Sequence, residues 1–332
     1  MEMRAFGRTG LRTSILGFGC GAVGGLMVRG DPAAQERAMA RALEVGVNYF
    51  DTAVQYGDGE SERNLGRLLK VLKPKNAIVG TKVRLQPADF ARIGPTIEAS
   101  LEASLGRLGM AQVDILHLHN PITAEGGDGA YSIAQVMGEA VPALEKLRQQ
   151  GKIRVLGLTA VGDTGALMSV IDKGVFGSAQ VTYNMLNPSA GRPLPPKYPA
   201  QDYERLFDRT AQAGVGVVGI RVLAGGALSA SMARHPIASP PPAPIGSAGS
   251  YEGDVARARR LMPLVTEGFA DSLTEAATRF SITHPAMGSI LVGMATPDEF
   301  EAALAAVLKG PLPRAALDRL SNLLEGFSGE AR

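Results

Sequence analysis

Eight times along this chain a short apolar, β-rich run is followed by apolar residues at helical spacing, and few folds accept that alternation. The runs lie at residues 15–18, 47–50, 77–80, 113–118, 153–158, 179–183, 214–220 and 289–292. Between them, helical spacing joins Met39 to Leu43, Leu65 to Leu68 and Leu69, Ile97 to Leu101, Leu105 and Leu108, and Met137 to Val141, Leu144 and Leu147. Further helices are predicted over 164–172, around Tyr203, Leu206 and Phe207, and over 273–282 and 297–308. Asp31-Pro32 reads as a cap with a first-turn proline, and Ser61 as the cap of the helix that carries Leu65. Residues 4–6 and 12–14, around Gly7-Arg8-Thr9-Gly10, predict an N-terminal hairpin, and Leu317, Leu320, Leu323 and Leu324 an extra C-terminal helix.

Such a pattern suits a closed (β/α)8 barrel or a doubly wound open sheet. The open sheet wants a Gly-x-Gly-x-x-Gly turn after its first strand, and Gly19-Cys20-Gly21-Ala22-Val23-Gly24 has that spacing. No acid stands at the end of the next strand in a way that leaves Asp51 free for a ribose, and spacing alone keeps both architectures open. The 332 residues fit one large barrel spanning 1–332 or two ordinary domains. A net charge of +2 implies no field for nucleic acid or a membrane surface. The start MEMRAFGRTG lacks an apolar signal core, and the lone Cys20 makes no intrachain disulfide, so a cytoplasmic location is expected. One Cys and four scattered His provide no zinc-ligand spacing.

Chemistry concentrates in GVNYFDTAVQYGDGESERNLG, residues 46–66. An acid rarely continues into an apolar core, so Asp51 should end the second strand, with Tyr56 in the loop beyond it. Lys82 closes the third strand, and His117 and His119 stand near the end of the fourth. Taken singly, Asp51 reads as a strand-end cap, Tyr56 as a half-buried ring, Lys82 as a solvated strand end and His119 as a bonded structural histidine. At successive strand ends they form a set suited to carbonyl chemistry. A nearby ammonium favours the phenolate and pulls down a phenol pKa of about 10. Lys82 is expected to do this for Tyr56, with Asp51 holding Lys82 and His119 donating to the carbonyl oxygen. His119, not His117, precedes the Asn120-Pro121 turn and is the candidate.

This segment, with "VGTK" ending at Lys82 and "VDILHLHNP" containing His119, closely resembles the signature of the aldo-keto reductase family, and the likeness runs over nearly the whole chain. The resemblance implies the (β/α)8 barrel and makes Asp51, Tyr56, Lys82 and His119 the catalytic four. It implies hydride transfer between a nicotinamide cofactor and an aldehyde or ketone. A sugar or aldose dehydrogenase working with NAD+ and a non-catalytic nucleotide-sensing subunit are the alternatives on the same scaffold.

By the same resemblance, cofactor contacts fall on Gly19 and Cys20, on Thr159, on Gln180, and on Arg221, Val222, Leu223, Gly225 and Leu228 after the seventh strand. Ala160 stands where relatives have Asn, and Arg221 where many have a stacking Tyr. After the eighth strand Gly293, Thr296, Glu299 and Ala303 occupy the adenosine segment. The family implies NADP(H), whereas Glu299, with no Lys or Arg in that segment, leans to NAD(H); both stay open. Val54 and Asn120, the latter replacing a Trp of many relatives, are the expected substrate contacts. The Pro- and Gly-rich stretches 187–199 and 229–250 follow strands six and seven and are expected to cover cofactor or substrate.

Overall fold

The computed structural model describes residues 1–331. Strands β1 (Met3–Ala5) and β2 (Arg12–Ser14) pair as an antiparallel hairpin. Then come β3 (Leu16–Gly19), β4 (Tyr49–Asp51), β5 (Ile78–Val83) and β6 (Val113–Leu118). A small sheet of β7 (Ile122–Thr123), β8 (Glu125–Gly127) and β9 (Ala130–Ser132) follows. The chain returns through β10 (Ile153–Ala160), β11 (Ser178–Thr182), β12 (Gly216–Ile220) and β13 (Met287–Val292). The eight strands other than the hairpin and the small sheet run parallel and close into a barrel, β13 pairing with β3. The closed barrel, not the open sheet, is therefore the architecture.

Local chemistry sets most element ends. Asp31 accepts from Ala33 N and Ala34 N at 3.0 and 3.1 Å, Pro32 opens the helix Pro32–Glu44, and Gly46 at φ 86° turns the chain away. The helix Glu60–Leu72 differs from expectation. It starts at Gly59, φ 82°, and Ser61 lies inside the first turn. Its buried hydroxyl donates to Cys20 O at 2.8 Å and pairs with Thr52 Oγ1 at 2.8 Å, tying the helix to the barrel rim instead of capping it. The helix that contains Val141 and Leu144 carries a wide turn at Val136–Ala140 immediately before Pro142, which has no N–H to donate to the ladder.

One end of the barrel is shut. Phe6 and Leu11, on the hairpin, join Tyr49, Ile78, Ile115, Val155 and Val218 in a cluster inside the strands. Gly216 and Gly288 make room for this plug: a Cβ at either would lie 2.6 or 2.7 Å from Phe6 ring atoms. Burying a phenylalanine contributes about 2 kcal/mol or more. Chemistry is left to the carboxyl ends of the strands. No helix among the described residues is long and apolar enough to cross a membrane.

Candidate active site

The carboxyl ends open into a cleft of about 1060 Å³. Its floor is made by residues that alternate inward along the strands. Asp51 ends β4 beside Gly80 of β5, Lys82 pairs in register with His117 of β6, and Thr159 of β10 with Gln180 of β11.

Asp51 and Lys82 are both buried, at 3% and 1% exposure, and form an ion pair. Lys82 Nζ also donates to Thr52 O at 2.8 Å and lies 4.9 Å from the centroid of the Tyr56 ring. The second oxygen of Asp51 accepts from Tyr49 Oη at 3.0 Å and Gln180 Nε2 at 2.6 Å. A buried pair needs such bonds, because taking both charges out of water costs more than their attraction returns. Burial lowers the Lys82 pKa, but Asp51 and Tyr56 outweigh it, so the ammonium titrates above its ordinary value.

The Tyr56 ring is half-buried, with its hydroxyl turned in against Lys82. Here the structure corrects the sequence expectation. Lys82 and Arg221 do pull the phenol down, but burial of the hydroxyl is the larger effect, and the pKa lies above that of a free phenol. His119 packs edge-on to Tyr56, with ring centroids 6.2 Å apart, and its Nδ1 lies 3.1 Å from Gln55 Oε1. Burial, then the charges of Lys82 and Arg84, depress its pKa to about 3. It is a neutral imidazole at physiological pH. His117 faces the barrel interior, 2.9 Å from Ser178 Oγ, and does not reach the cleft.

Gly19, Thr159, Gln180, Arg221, Val222, Leu223, Gly225, Gly293, Glu299 and Ala303 all line the cleft. Cys20 and Leu228 are buried behind its wall. Thr296 caps the helix Pro297–Leu308 through Glu299 N, while Glu299 accepts from Ala295 N at 2.6 Å. Neither expected substrate contact lines the cleft. Asn120 spends its side chain on Leu85 N, Leu85 O and Gly129 O, at 2.8, 2.8 and 2.7 Å, so it fastens two loops. Val54 stands aside while its neighbour Gln55 faces in.

The two Pro-rich stretches part company. Residues 229–250 cross the cleft as a strap. Arg234 donates to Gly225 O at 2.8 Å, Ser239 O at 2.8 Å and Val23 O at 3.2 Å, and Arg29 to Ile237 O at 2.6 Å. Residues 187–199 contribute nothing to the lining; Tyr198 packs on Phe327 and Arg192 bonds Ser321, against the C-terminal helix.

Sequence reasoning missed Gln55, Arg84 and Arg234, and the far end of the cleft. That end carries Asp271, Glu275, Ala302, Ala306 and Lys309, with Lys309 held by Asp271 at 2.6 Å and Glu275 at 2.7 Å. Gln55 and Arg84 stand within two residues of Tyr56 and Lys82, a signal that was available. Asp271 and Glu275 precede the last strand, and only the closed barrel brings them to the cleft.

Two features suit a dinucleotide. Thr159 Oγ1 is buried on the floor without a hydrogen-bond partner, next to Gln180. Gly225 and Gly226, at φ 71° and 109°, expose bare backbone at the wall. Comparison with known proteins agrees. The model of the Aldo/keto reductase family matches residues 15–325. L-galactose dehydrogenase of Arabidopsis thaliana is 30% identical over 316 residues, 92% of this chain and 88% of its own. Pyridoxal 4-dehydrogenase of Microbacterium luteolum is 28% identical, covering 90% of each chain. Among solved structures, the holo form of an aldo-keto reductase from Bacillus halodurans aligns with a TM-score of 0.70 at 24% identity, over 100% of this chain and 98% of that one. The chain belongs to the aldo/keto reductase family and is an NAD(P)(H)-dependent oxidoreductase that interconverts carbonyl and alcohol groups.

Proposed function

We propose that this enzyme works with NAD(H) in preference to NADP(H), and that Tyr56 moves the proton while Asp51, Lys82 and His119 set up the transfer. When bound, the dinucleotide supplies or takes up the hydride. Thr159 Oγ1 and the carbonyl oxygen of Gln180 are the polar groups offered to its carboxamide. Arg221, Gly225 and Gly226 are those offered to its phosphates. Gly19, Val222, Leu223 and Gly293 shape the walls; Cys20, Leu228 and Thr296 act only by supporting them.

In reduction the carbonyl oxygen takes the Tyr56 proton. Burial keeps that phenol protonated at neutral pH, so the acid is ready. Lys82, held charged by Asp51, stabilises the phenolate left behind. His119 is neutral, so it can donate to the oxygen without placing a second positive charge beside Lys82. In the oxidising direction the proton runs back to Tyr56. Gln55 takes the substrate-side place expected of Val54, and the role of Asn120 is confined to its loops.

The cofactor preference rests on one observation. Among the described residues lining the far end of the cleft the only cation is Lys309, already held by two carboxylates, and Glu299 lines the cleft from the first turn of the helix that ends at Lys309. A 2′-phosphate there finds no free positive partner, whereas a ribose hydroxyl can bond an acid. Following nicotinamide absorbance with NADH and NADPH against a panel of aldehydes and ketones, and with NAD+ and NADP+ against sugars, tests this. NADH should give the higher kcat/KM by roughly tenfold, a few kT of charge repulsion; a preference for NADPH overturns it. The name of the first relative above, L-galactose dehydrogenase, favours a second reading, oxidation of a sugar, which the sugar arm of the panel decides.

A further inference from the structure

The wall of the cleft that carries Gln55, His119 and Pro121 also carries Arg84, one residue past the end of β5 and two past Lys82. Arg84 is exposed and has no hydrogen-bond or ion-pair partner among the described residues. The other cations around the cleft are engaged. Arg234 is spent on backbone carbonyls, Arg29 on Ile237 O and Ala22 O, and Lys309 on two acids. Arg221 is turned to the side proposed for the cofactor phosphates. Arg84 therefore leaves one uncompensated guanidinium at the mouth of the reaction centre. Its charge is felt at His119, the group proposed to meet the carbonyl oxygen.

We infer that Arg84 recognises the substrate, and that the substrate is a carbonyl compound bearing a carboxylate a few atoms from its reacting carbon. A guanidinium presents two parallel N–H donors that match a carboxylate's two oxygens. One unpaired guanidinium balances one negative charge, which favours a carboxylate over a phosphate dianion. Pro121 and Val161, also on the lining, give the spacer an apolar surface. The carboxylate takes no part in bond making: one hydride and one proton still add across C=O. This inference rests on the carbonyl reaction proposed above, and the experiment separates the two.

The probes are 4-carboxybenzaldehyde and benzaldehyde, which differ by one charged group, with 4-nitrobenzaldehyde as a neutral, electron-poor control. The wild-type enzyme should favour 4-carboxybenzaldehyde in kcat/KM, through KM, over both neutral aldehydes. In Arg84→Gln the ratio of the carboxylated to the neutral substrates should fall roughly tenfold, the size of one charge-assisted hydrogen bond. Arg84→Glu should lower it further, and added salt should erode it in the wild type. Equal handling of charged and neutral aldehydes by the wild type, or a ratio unmoved in Arg84→Gln, overturns the inference. If no aldehyde is turned over, the carbonyl reading fails instead. Calorimetry of 4-carboxybenzyl alcohol binding then decides: weaker binding to Arg84→Gln supports the carboxylate site, and equal binding refutes it.

Discussion

At the end of the cleft built by β4, β5 and β6 the paired charges Asp51 and Lys82 are buried and held by several bonds, while Arg84 stands exposed at the mouth. At the far end the charges stand on helix surfaces and mostly face solvent. Asp51 takes hydrogen bonds from Lys82, Tyr49 and Gln180 inside the barrel. Asp271 is 86% exposed and Lys309 44%. The contrast separates two jobs. Proton transfer needs a fixed geometry in a dry site, where a misplaced group is costly. Discrimination between two dinucleotides needs only a difference in local charge, which a solvated carboxylate can supply. Damage to the first end should be large and hard to compensate, and changes at the second should be graded.

The strongest test of the buried end is Tyr56→Phe. Turnover should fall roughly 10²- to 10⁴-fold, the usual worth of a positioned proton donor. Cofactor affinity, read by fluorescence titration, should stay near that of the wild type; unchanged turnover would remove Tyr56 from its role. Next comes Lys82→Met, which strands Asp51 as a buried charge. Urea unfolding should show a loss of roughly 3–5 kcal/mol, and the double variant with Asp51→Asn should recover part of it while remaining inactive. A stable, active Lys82→Met would mean that the pair is dispensable.

The third effect is on pH. The folded-state pKa of His119 is depressed to about 3, below an unfolded value near 6.5. Between those limits the unfolded chain binds a proton that the folded chain refuses. The stability tied to a neutral ring is therefore fully present above about pH 6.5 and is lost as the pH falls. His117, buried and also depressed, adds in the same direction. His119→Asn should flatten the fall in denaturation free energy between pH 6 and 4 by up to about 1 kcal/mol per pH unit, allowing for partial solvation of the ring. The smallest effect is expected at the exposed end. Glu299→Arg should shift the NADPH-to-NADH ratio of kcat/KM toward NADPH by roughly tenfold without altering Tyr56 chemistry. No shift would move the cofactor's adenosine away from this helix.

The strand ends were readable because one rule covers them: an acid or lysine stops an apolar run where the core stops. Asp51 and Lys82 announce themselves in this way. The electrostatics were readable in sign but not in balance. Sequence shows that a lysine lies near a tyrosine; it does not show how much water the hydroxyl loses, and that loss decides the direction for Tyr56. Ser61 illustrates another limit. A serine before an apolar helical stretch is normally a cap, but Gly59 can start the helix two residues earlier, which frees the hydroxyl to bond the barrel rim. Asn120 and the stretch 187–199 were misjudged as lining because partners distant in sequence, Leu85 and the C-terminal helix, claim them first.

The phenylalanine-sealed floor has a kinetic corollary. With Phe6 filling the barrel from below, nothing crosses the molecule, and every reactant uses the same doorway beneath the strap pinned by Arg29 and Arg234. In a blind alley, whichever guest settles deepest must come first and depart last. Turnover here should follow a compulsory sequence, with the shallow guest exchanging many times more freely than the deep one.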